Sequence, residues 1–232
     1  MILPTKIFFG IPSADRRIDV DCAISTFKKL YEYGGNIYIH SGVSDLPLAR
    51  NHVVKRFLKS TCDWLMMIDS DIIFGNEDWE YLWEGDEDIV TASYARKIPG
   101  AKPCDFGLGF TRVHRRVFAA INDLRNENGT EMASRFYMES ETWTNFFPCG
   151  VTGDSRWLGE DRGFFTLCQL TGSSYRLEQR TRLQHVGSFI YGYPIQINGQ
   201  EFFWPEEVPR DKDEICDVHG VDNCGCEPRS IG

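Results

Sequence analysis

The chain has 232 residues, of which 42% are hydrophobic, and it carries a formal net charge of -9 with a pI near 5.1. This length and composition suit one globular domain with a substantial core, and no apolar run approaches the roughly 18 residues that would span a bilayer. The acidic balance disfavours a broad contact with nucleic-acid phosphates, which needs clustered positive charge, but it leaves a local basic groove open.

The N-terminal stretch 1–6 lacks the basic and long apolar regions of a secretory signal, so we expect a cytoplasmic protein with reduced thiols. Three of its eight cysteines crowd near the C-terminus with a histidine, at Cys216, His219, Cys224 and Cys226. This group is compatible with a small zinc site but matches no standard ligand spacing. The favoured interpretation is an irregular, thiol-rich tail.

Short apolar runs alternate with longer amphipathic runs over most of the chain, which predicts an α/β fold with a mostly parallel central sheet flanked by helices. The predicted strands are 6–10, 36–40, 64–68, 88–94, 106–110 and 174–184, and the predicted helices are 17–33, 46–59, 76–83, 112–120 and 158–170. The stretch 122–155 is polar, aromatic and poorly periodic, which indicates an insertion.

Periodic apolar positions disappear toward the C-terminus, where the sequence becomes acidic and bounded by prolines. We therefore predict one catalytic domain over residues 1–197 and an irregular, acidic, cysteine-containing tail over residues 198–232.

The strongest chemical signal is Asp69-Ser70-Asp71, directly after the continuously apolar run 64–68. Ligands of open α/β sheets gather at the carboxyl ends of such buried strands. In extended chain, carboxylates at positions i and i+2 point the same way, so both could face one divalent cation. An isolated motif of this kind is more often a capping Asp and a solvated Asp in a turn, so its context must decide.

Several separated segments together resemble family-2-like glycosyltransferases of the GT-A fold, whose central sheet is Rossmann-like. Ala49-Arg50-Asn51 resembles their ARN segment, and Asp69-Ser70-Asp71 resembles their DxD motif. Gly159-Glu160-Asp161 resembles their xED motif, and His185-Val186-Gly187 resembles the segment with their late metal-binding histidine. Single short motifs are weak, but this order over roughly residues 6–190 is fairly specific. The likeness is greatest to small stand-alone enzymes of phages and large DNA viruses, which would act in the host cytoplasm.

The resemblance implies metal-dependent transfer of a sugar from a nucleotide diphosphate donor to an acceptor hydroxyl, with inversion. It implies Mn²⁺ or Mg²⁺ as the cation, a UDP-sugar as donor with a GDP-sugar as the alternative, and a glycan, glycoprotein or other hydroxyl acceptor, with a nucleic-acid acceptor left open. Two further interpretations stay open: an idle sugar- or nucleotide-binding module of the same fold, and a sugar-nucleotide nucleotidyltransferase. The latter should have an early Gly-rich phosphate loop, which the stretch 7–17 lacks.

The same resemblance implies roles for the charged residues. Asp69, Asp71 and His185 would hold the cation, although a lone histidine is more often structural. Asp161 would be the general base that takes the acceptor proton, with Glu160 orienting the acceptor. Acidic residues in a first helical turn are also common caps, which is the alternative for this pair.

Further residues are implied to border the donor. Ile11 and Pro12 would line the nucleobase pocket, and Arg50 would reach toward the diphosphate as a forked cation, its alternative being an exposed helix arginine. Ser70 would touch the ribose or a phosphate. The pair Gly107 and Gly109 would allow close approach of a sugar, with a plain strand bulge as the alternative.

Overall fold

The computed structural model describes residues 6–97 and 106–187 and, as backbone, the short strands 190–191, 195–197 and 200–202. The helices in this part of the chain are Val20–Tyr33 (α1), Leu46–Lys59 (α2), Asn76–Trp83 (α3), Arg115–Asn122 (α4) and Glu160–Leu170 (α5). The strands up to the end of α4 are Ile7–Ser13 (β1), Asn36–Ser41 (β2), Trp64–Ile68 (β3), Ile72–Ile73 (β4), Ile89–Ala92 (β5) and Phe110–His114 (β6). The later strands are Arg135–Met138 (β7), Glu141–Thr144 (β8), Gly150–Val151 (β9), Trp157–Leu158 (β10), Tyr175–Glu178 (β11), Gln184–Val186 (β12), Ile190–Tyr191 (β13), Ile195–Ile197 (β14) and Gln200–Phe202 (β15).

The central sheet has six strands in the order β11-β5-β6-β3-β1-β2. Strand β1 pairs in parallel with β2 and β3, and β11 pairs in parallel with β5, whereas β6 runs antiparallel to both β3 and β5. The predicted α/β fold, one domain around a Rossmann-like, mostly parallel sheet with flanking helices, is confirmed.

Both faces of the sheet are covered, which explains the continuously apolar strands. Along β1, Phe8 packs into a cluster with Phe57 of α2, while Phe9 on the opposite face belongs to a second cluster. There its ring stacks on Trp79 of α3, with centroids 5.6 Å apart. The core therefore lies in two layers, one on each side of the strands.

Helix α2 forms over the predicted residues because its signals are local. The side chain of Asp45 accepts a hydrogen bond from the backbone N–H of Leu48 at 3.0 Å, and Pro47 lies in the first turn. Both features favour the start of a helix. The helix then packs Val53 and Phe57 against the sheet, and Arg50, three positions before Val53, lies on the same side of the helix.

Two predicted strands differ from the structure by more than three residues at one or both ends. Of the predicted strand 106–110, residues 106–109 form a loop before β6, because the Gly107 carbonyl accepts from the side-chain hydroxyls of Thr91 and Thr111 rather than from a backbone N–H of a neighbouring strand. The predicted strand 174–184 stops at Glu178, whose carboxylate accepts from the backbone N–H of Arg180 at 2.9 Å. The predicted insertion 122–155 contains the antiparallel pair β7–β8 and the short strand β9.

The predicted C-terminal tail stays a prediction. Strand β15 lies within it and pairs antiparallel with β14, but Cys216, His219, Cys224 and Cys226 fall outside the described residues. No helix in the described part of the chain is long and apolar enough to cross a membrane.

Candidate active site

Arg50 of α2 binds three carboxylates that the sequence separates widely. Its Nη1 atom donates to Glu160 Oε1 at 2.9 Å and to Asp161 Oδ1 at 2.8 Å. Its Nη2 atom donates to both oxygens of Asp69 at 3.2 Å. The residue is only 1% exposed, so the alternative of an exposed helix arginine is wrong. The predicted ARN, DxD and xED segments therefore meet at one buried guanidinium.

The charges in this group do not balance, since a single guanidinium lies among three carboxylates. Burial alone would lower the pKa of Arg50, but Asp69 and Asp161 outweigh it, and the pKa is raised above its ordinary value. Arg50 therefore remains a permanent cation. Such a surplus of negative charge favours the binding of a second cation or a proton on one carboxylate.

Asp161 is the carboxylate whose proton affinity the group changes most clearly. Its side chain is 27% exposed at the N-terminal turn of α5. Burial raises its pKa to about 6, against the opposing effect of Arg50 and with added repulsion from Glu160 and Asp69. A carboxylate with a pKa near 6 is ionised at neutral pH yet basic enough to accept a proton from a reacting group.

The DxD segment forms a turn between β3 and β4, which corrects the expectation of an extended chain. The backbone N–H of Ile72 donates to the Asp69 carbonyl at 3.1 Å and closes this turn. In consequence the two carboxylates contact different partners, Asp69 at Arg50 and Asp71 at Lys97. Ser70 is partly buried, and its carbonyl accepts from the backbone N–H of Asp19 at 2.8 Å.

His185 lies beside Asp71, as the motif order suggested. The strand that carries it belongs to a separate small sheet and not to the central sheet. Strand β12 pairs with β4 and places His185 opposite Ile72. The Nε2 atom of His185 lies 3.3 Å from Asp71 Oδ1, and Nδ1 lies 2.9 Å from the carbonyl oxygen of Ala95. Because a carbonyl oxygen only accepts, Nδ1 donates to Ala95, and this contact directs Nε2 at Asp71.

A cation fits between these two groups. A carboxylate oxygen and an imidazole nitrogen at this separation are both ligand types that divalent metals accept in proteins. In the structure the ammonium of Lys97 contacts the other oxygen of Asp71. Within residues 6–97 and 106–187, however, no group of three or more His, Cys, Asp or Glu side chains could hold a metal, because Asp69 turns to Arg50. The three-residue metal set thus stays a prediction.

Of the two predicted glycines, Gly109 lies against the acidic cluster. The Gly109 carbonyl accepts from the backbone N–H of Asp69 at 2.8 Å, and a Cβ on Gly109 would lie 2.7 Å from Asp69 Oδ2 and 2.8 Å from the Tyr94 hydroxyl. Only glycine fits that space without displacing Asp69. The Gly107 carbonyl accepts from the hydroxyl of Thr111 at 3.1 Å.

The predicted nucleobase contacts occupy the end of β1. Ile11 is fully buried in the core, and Pro12 is also buried beside His40 of β2. Contact of the Ile11 side chain with a base therefore has no support in the structure, and the role of both residues stays a prediction.

Sequence reasoning gave no role to two residues that organise this site. Lys97 contacts Asp71, and no sequence motif around it identified it in advance. Asn51, the last residue of the ARN segment, donates to Asn145 Oδ1 at 3.1 Å and accepts from the backbone N–H of Phe146 at 3.0 Å. It thereby joins the insertion to α2, and its position next to Arg50 was the available signal.

No protein-family model and no curated protein matches the sequence. Among solved structures, the chain is similar to A197 from STIV, with a TM-score of 0.49 and 16% identity over 78% of this chain and 85% of that one. It is similar to a glycosyltransferase involved in glycosylation of the major capsid of PBCV-1, with a TM-score of 0.35 and 15% identity over 52% and 67%. It is also similar to Drosophila β1,4-galactosyltransferase 7 in complex with xylobiose, with a TM-score of 0.48 and 17% identity over 75% and 65%. Structures of viral origin are thus among those that the chain resembles.

Proposed function

We propose that this chain is a glycosyltransferase that moves a sugar from a nucleotide diphosphate donor to an acceptor hydroxyl with inversion at the anomeric carbon. The observation that carries the proposal is the group of Asp69, Glu160 and Asp161 around the buried Arg50. It combines a general base of raised pKa with a fixed cation, beside a second acidic site at Asp71.

Asp161 is the group proposed to move the proton. As the acceptor oxygen attacks the anomeric carbon, its proton passes to the Asp161 carboxylate, while the bond from that carbon to the diphosphate oxygen breaks. Attack opposite the leaving group inverts the configuration. Arg50 holds Asp161 Oδ1 at 2.8 Å and so fixes the direction from which the base approaches.

The role of Asp71 and His185 is to hold the divalent cation, Mn²⁺ or Mg²⁺. Such a cation would neutralise the diphosphate as it leaves. These two residues fit it because His185 Nδ1 is occupied by the Ala95 carbonyl, which orients Nε2 toward Asp71. Asp69 is held by Arg50, so it would attract the cation electrostatically without coordinating it unless the contact between Asp69 and Arg50 breaks.

The acceptor is proposed to be a glycan, for which the hairpin before α5 offers an apolar surface. Trp157 is 59% exposed and pairs across the hairpin with Val151, which is 73% exposed. Paired residues on adjacent strands share one face, so the two form a joint surface three positions before Glu160 in the sequence. An indole face suits the apolar C–H face of a sugar ring.

The test is a screen of nucleotide sugars, first UDP-sugars and then GDP-sugars, for release of nucleoside diphosphate with Mn²⁺ and with excess EDTA. We expect release with Mn²⁺ and none with EDTA. The Asp161→Asn variant should lose release, whereas Asp123→Asn, a matched change at an exposed residue of the α4 C-terminus, should keep it. Donor binding without any turnover would instead identify an idle binding module, and release of pyrophosphate from a nucleoside triphosphate would identify a nucleotidyltransferase.

A further inference from the structure

The two acidic residues of the DxD turn differ in how firmly their cationic partners are held. Asp69 is bound by Arg50, whose side chain is 2% exposed. Asp71 is bound by Lys97, whose side chain is 39% exposed. A buried guanidinium cannot leave its carboxylates without leaving their negative charges unpaired in a buried place. A half-exposed ammonium, by contrast, can move into water at little cost in free energy. Only the partner of Asp71 is therefore exchangeable.

The backbone beside Lys97 is anchored independently of its side chain. His185 Nδ1 donates to the carbonyl of Ala95 at 2.9 Å, two positions before Lys97. The flexible four-carbon side chain of a lysine can thus swing while its base stays fixed next to the acidic turn. Departure of the ammonium would leave both oxygens of Asp71 and the Nε2 atom of His185 available to another cation.

From these contacts we propose that Lys97 occupies the cation position at Asp71 when donor is absent, and that it transfers to the donor diphosphate when a divalent cation replaces it. The inference rests on the proposed function and adds Lys97 as a diphosphate-binding residue. A divalent cation at Asp71 repels the ammonium, and the arriving diphosphate attracts it. The ammonium exchanges one anionic partner for another and is never left unpaired.

This exchange predicts opposite effects on two binding equilibria. Without nucleotide, Lys97 competes with the metal, so Lys97→Met should bind Mn²⁺ alone about three- to fivefold more tightly than the wild-type protein, the size expected for one half-exposed ion pair. With saturating Mn²⁺, the same variant should bind UDP about three- to fivefold more weakly because one charge-assisted contact is lost.

The experiment measures Mn²⁺ by electron paramagnetic resonance of the free ion and UDP by calorimetry, on the full chain. Arg96→Met is the matched control, since it removes a neighbouring exposed positive charge. Lys97→Arg should stay near the wild-type values, because it keeps the charge. Opposite shifts in Lys97→Met that Arg96→Met does not share support the exchange.

Several outcomes overturn it. If Lys97→Met weakens both equilibria, Lys97 merely organises the site, and if it leaves either equilibrium unchanged, the exchange does not occur. Equal shifts in Arg96→Met would show a general charge effect and likewise refute the inference. A wild-type protein that binds Mn²⁺ and UDP keeps the proposed function in each of these cases, whereas a wild-type protein that binds neither refutes that function together with the inference.

Discussion

The Nη1 atom of Arg50 donates to Asp161 Oδ1 at 2.8 Å, although 111 positions separate the two residues. This bond orients Asp161 without making it a weak base. Burial raises the pKa of Asp161 to about 6 despite the neighbouring cation, and repulsion from Glu160 and Asp69 adds to this rise. The position of the carboxylate and its basicity are therefore set by different neighbours.

The Asp161→Asn variant should lower turnover by at least about a hundredfold, because the amide keeps the shape of the side chain but cannot accept the acceptor proton. Affinity for the donor should change little, since donor contacts lie elsewhere. Steady-state kinetics and calorimetry with the donor found in the screen measure the two effects. Glu160→Gln is the matched control and should reduce turnover less. Normal turnover by Asp161→Asn, or a product that keeps the donor's anomeric configuration, contradicts the assignment.

The pH dependence of turnover should follow the protonation of Asp161. Because the base must be ionised, kcat should fall as the pH drops through about 6, the raised pKa of Asp161. Glu160→Gln removes a nearby negative charge, so it should shift this acidic limb to lower pH. Rate profiles of the two proteins from pH 5 to 8 provide the measurement. An acidic limb that does not move in Glu160→Gln would show that another group controls it.

Arg50→Met should destabilise the protein by about 3 kcal/mol, because it leaves the surrounding carboxylates without their cation in a largely buried place. Urea unfolding at pH 7 measures the change. Arg56→Met, on the exposed face of the same helix, is the control and should cost less than about 1 kcal/mol. Equal losses in the two variants would mean that the carboxylate group does not depend on Arg50.

Gly109→Ala should weaken donor binding severalfold and destabilise the fold by about 1–3 kcal/mol. The added methyl group would meet Asp69 Oδ2 at 2.7 Å, and Asp69 cannot yield without leaving Arg50. Gly153→Ala is the control, because nothing lies within 4 Å of a Cβ there. Thermal unfolding and calorimetry with UDP and Mn²⁺ distinguish the two variants, and unchanged binding in Gly109→Ala would argue against a donor site at this place.

A stacked histidine pair should make stability sensitive to acid. The rings of His40 and His52 lie 4.1 Å apart, and burial lowers the pKa of both below the ordinary value of 6.5. Of the charged groups around them, Glu139 opposes this shift, whereas Lys55 and Arg56 reinforce it for His52 and Arg56 does so for His40.

The unfolded chain therefore binds more protons below pH 6.5, so the contribution of the pair is complete above that pH and is lost as the pH falls. His52→Phe keeps a ring against Trp143 but takes up no proton, and it should lose less stability than the wild-type protein between pH 7.5 and pH 5. Urea unfolding of both proteins at pH 7.5 and pH 5 measures the difference. An equal loss of stability in the two proteins would refute a contribution of the histidine pair.

The local parts of the fold could be predicted from the sequence. Helices Leu46–Lys59 and Asn76–Trp83 and strand Trp64–Ile68 have the predicted bounds, because caps and apolar spacing act over a few residues. The fold class followed from the alternation of such elements.

What the sequence did not predict depends on contacts between distant segments. The loop at Gly107 exists because hydroxyls from two strands bind its carbonyl, and the separate partners of Asp69 and Asp71 follow from a turn closed by Ile72. The motif order indicated that Arg50, Asp69 and Asp161 belong together. It could not show that they bind one another, nor that Lys97 lies at Asp71.

The span of the Arg50 contacts also bears on the order of folding. Its bond to Asp69 closes a loop of 19 positions, whereas those to Glu160 and Asp161 close loops of 110 and 111. Long closures carry the larger entropic cost and form slowly, so we expect the group to be completed only after α5 has docked. Until that moment, a chain emerging from the ribosome has Arg50 facing a single carboxylate, and its nascent domain lacks the ion pairs that hold α2 to α5.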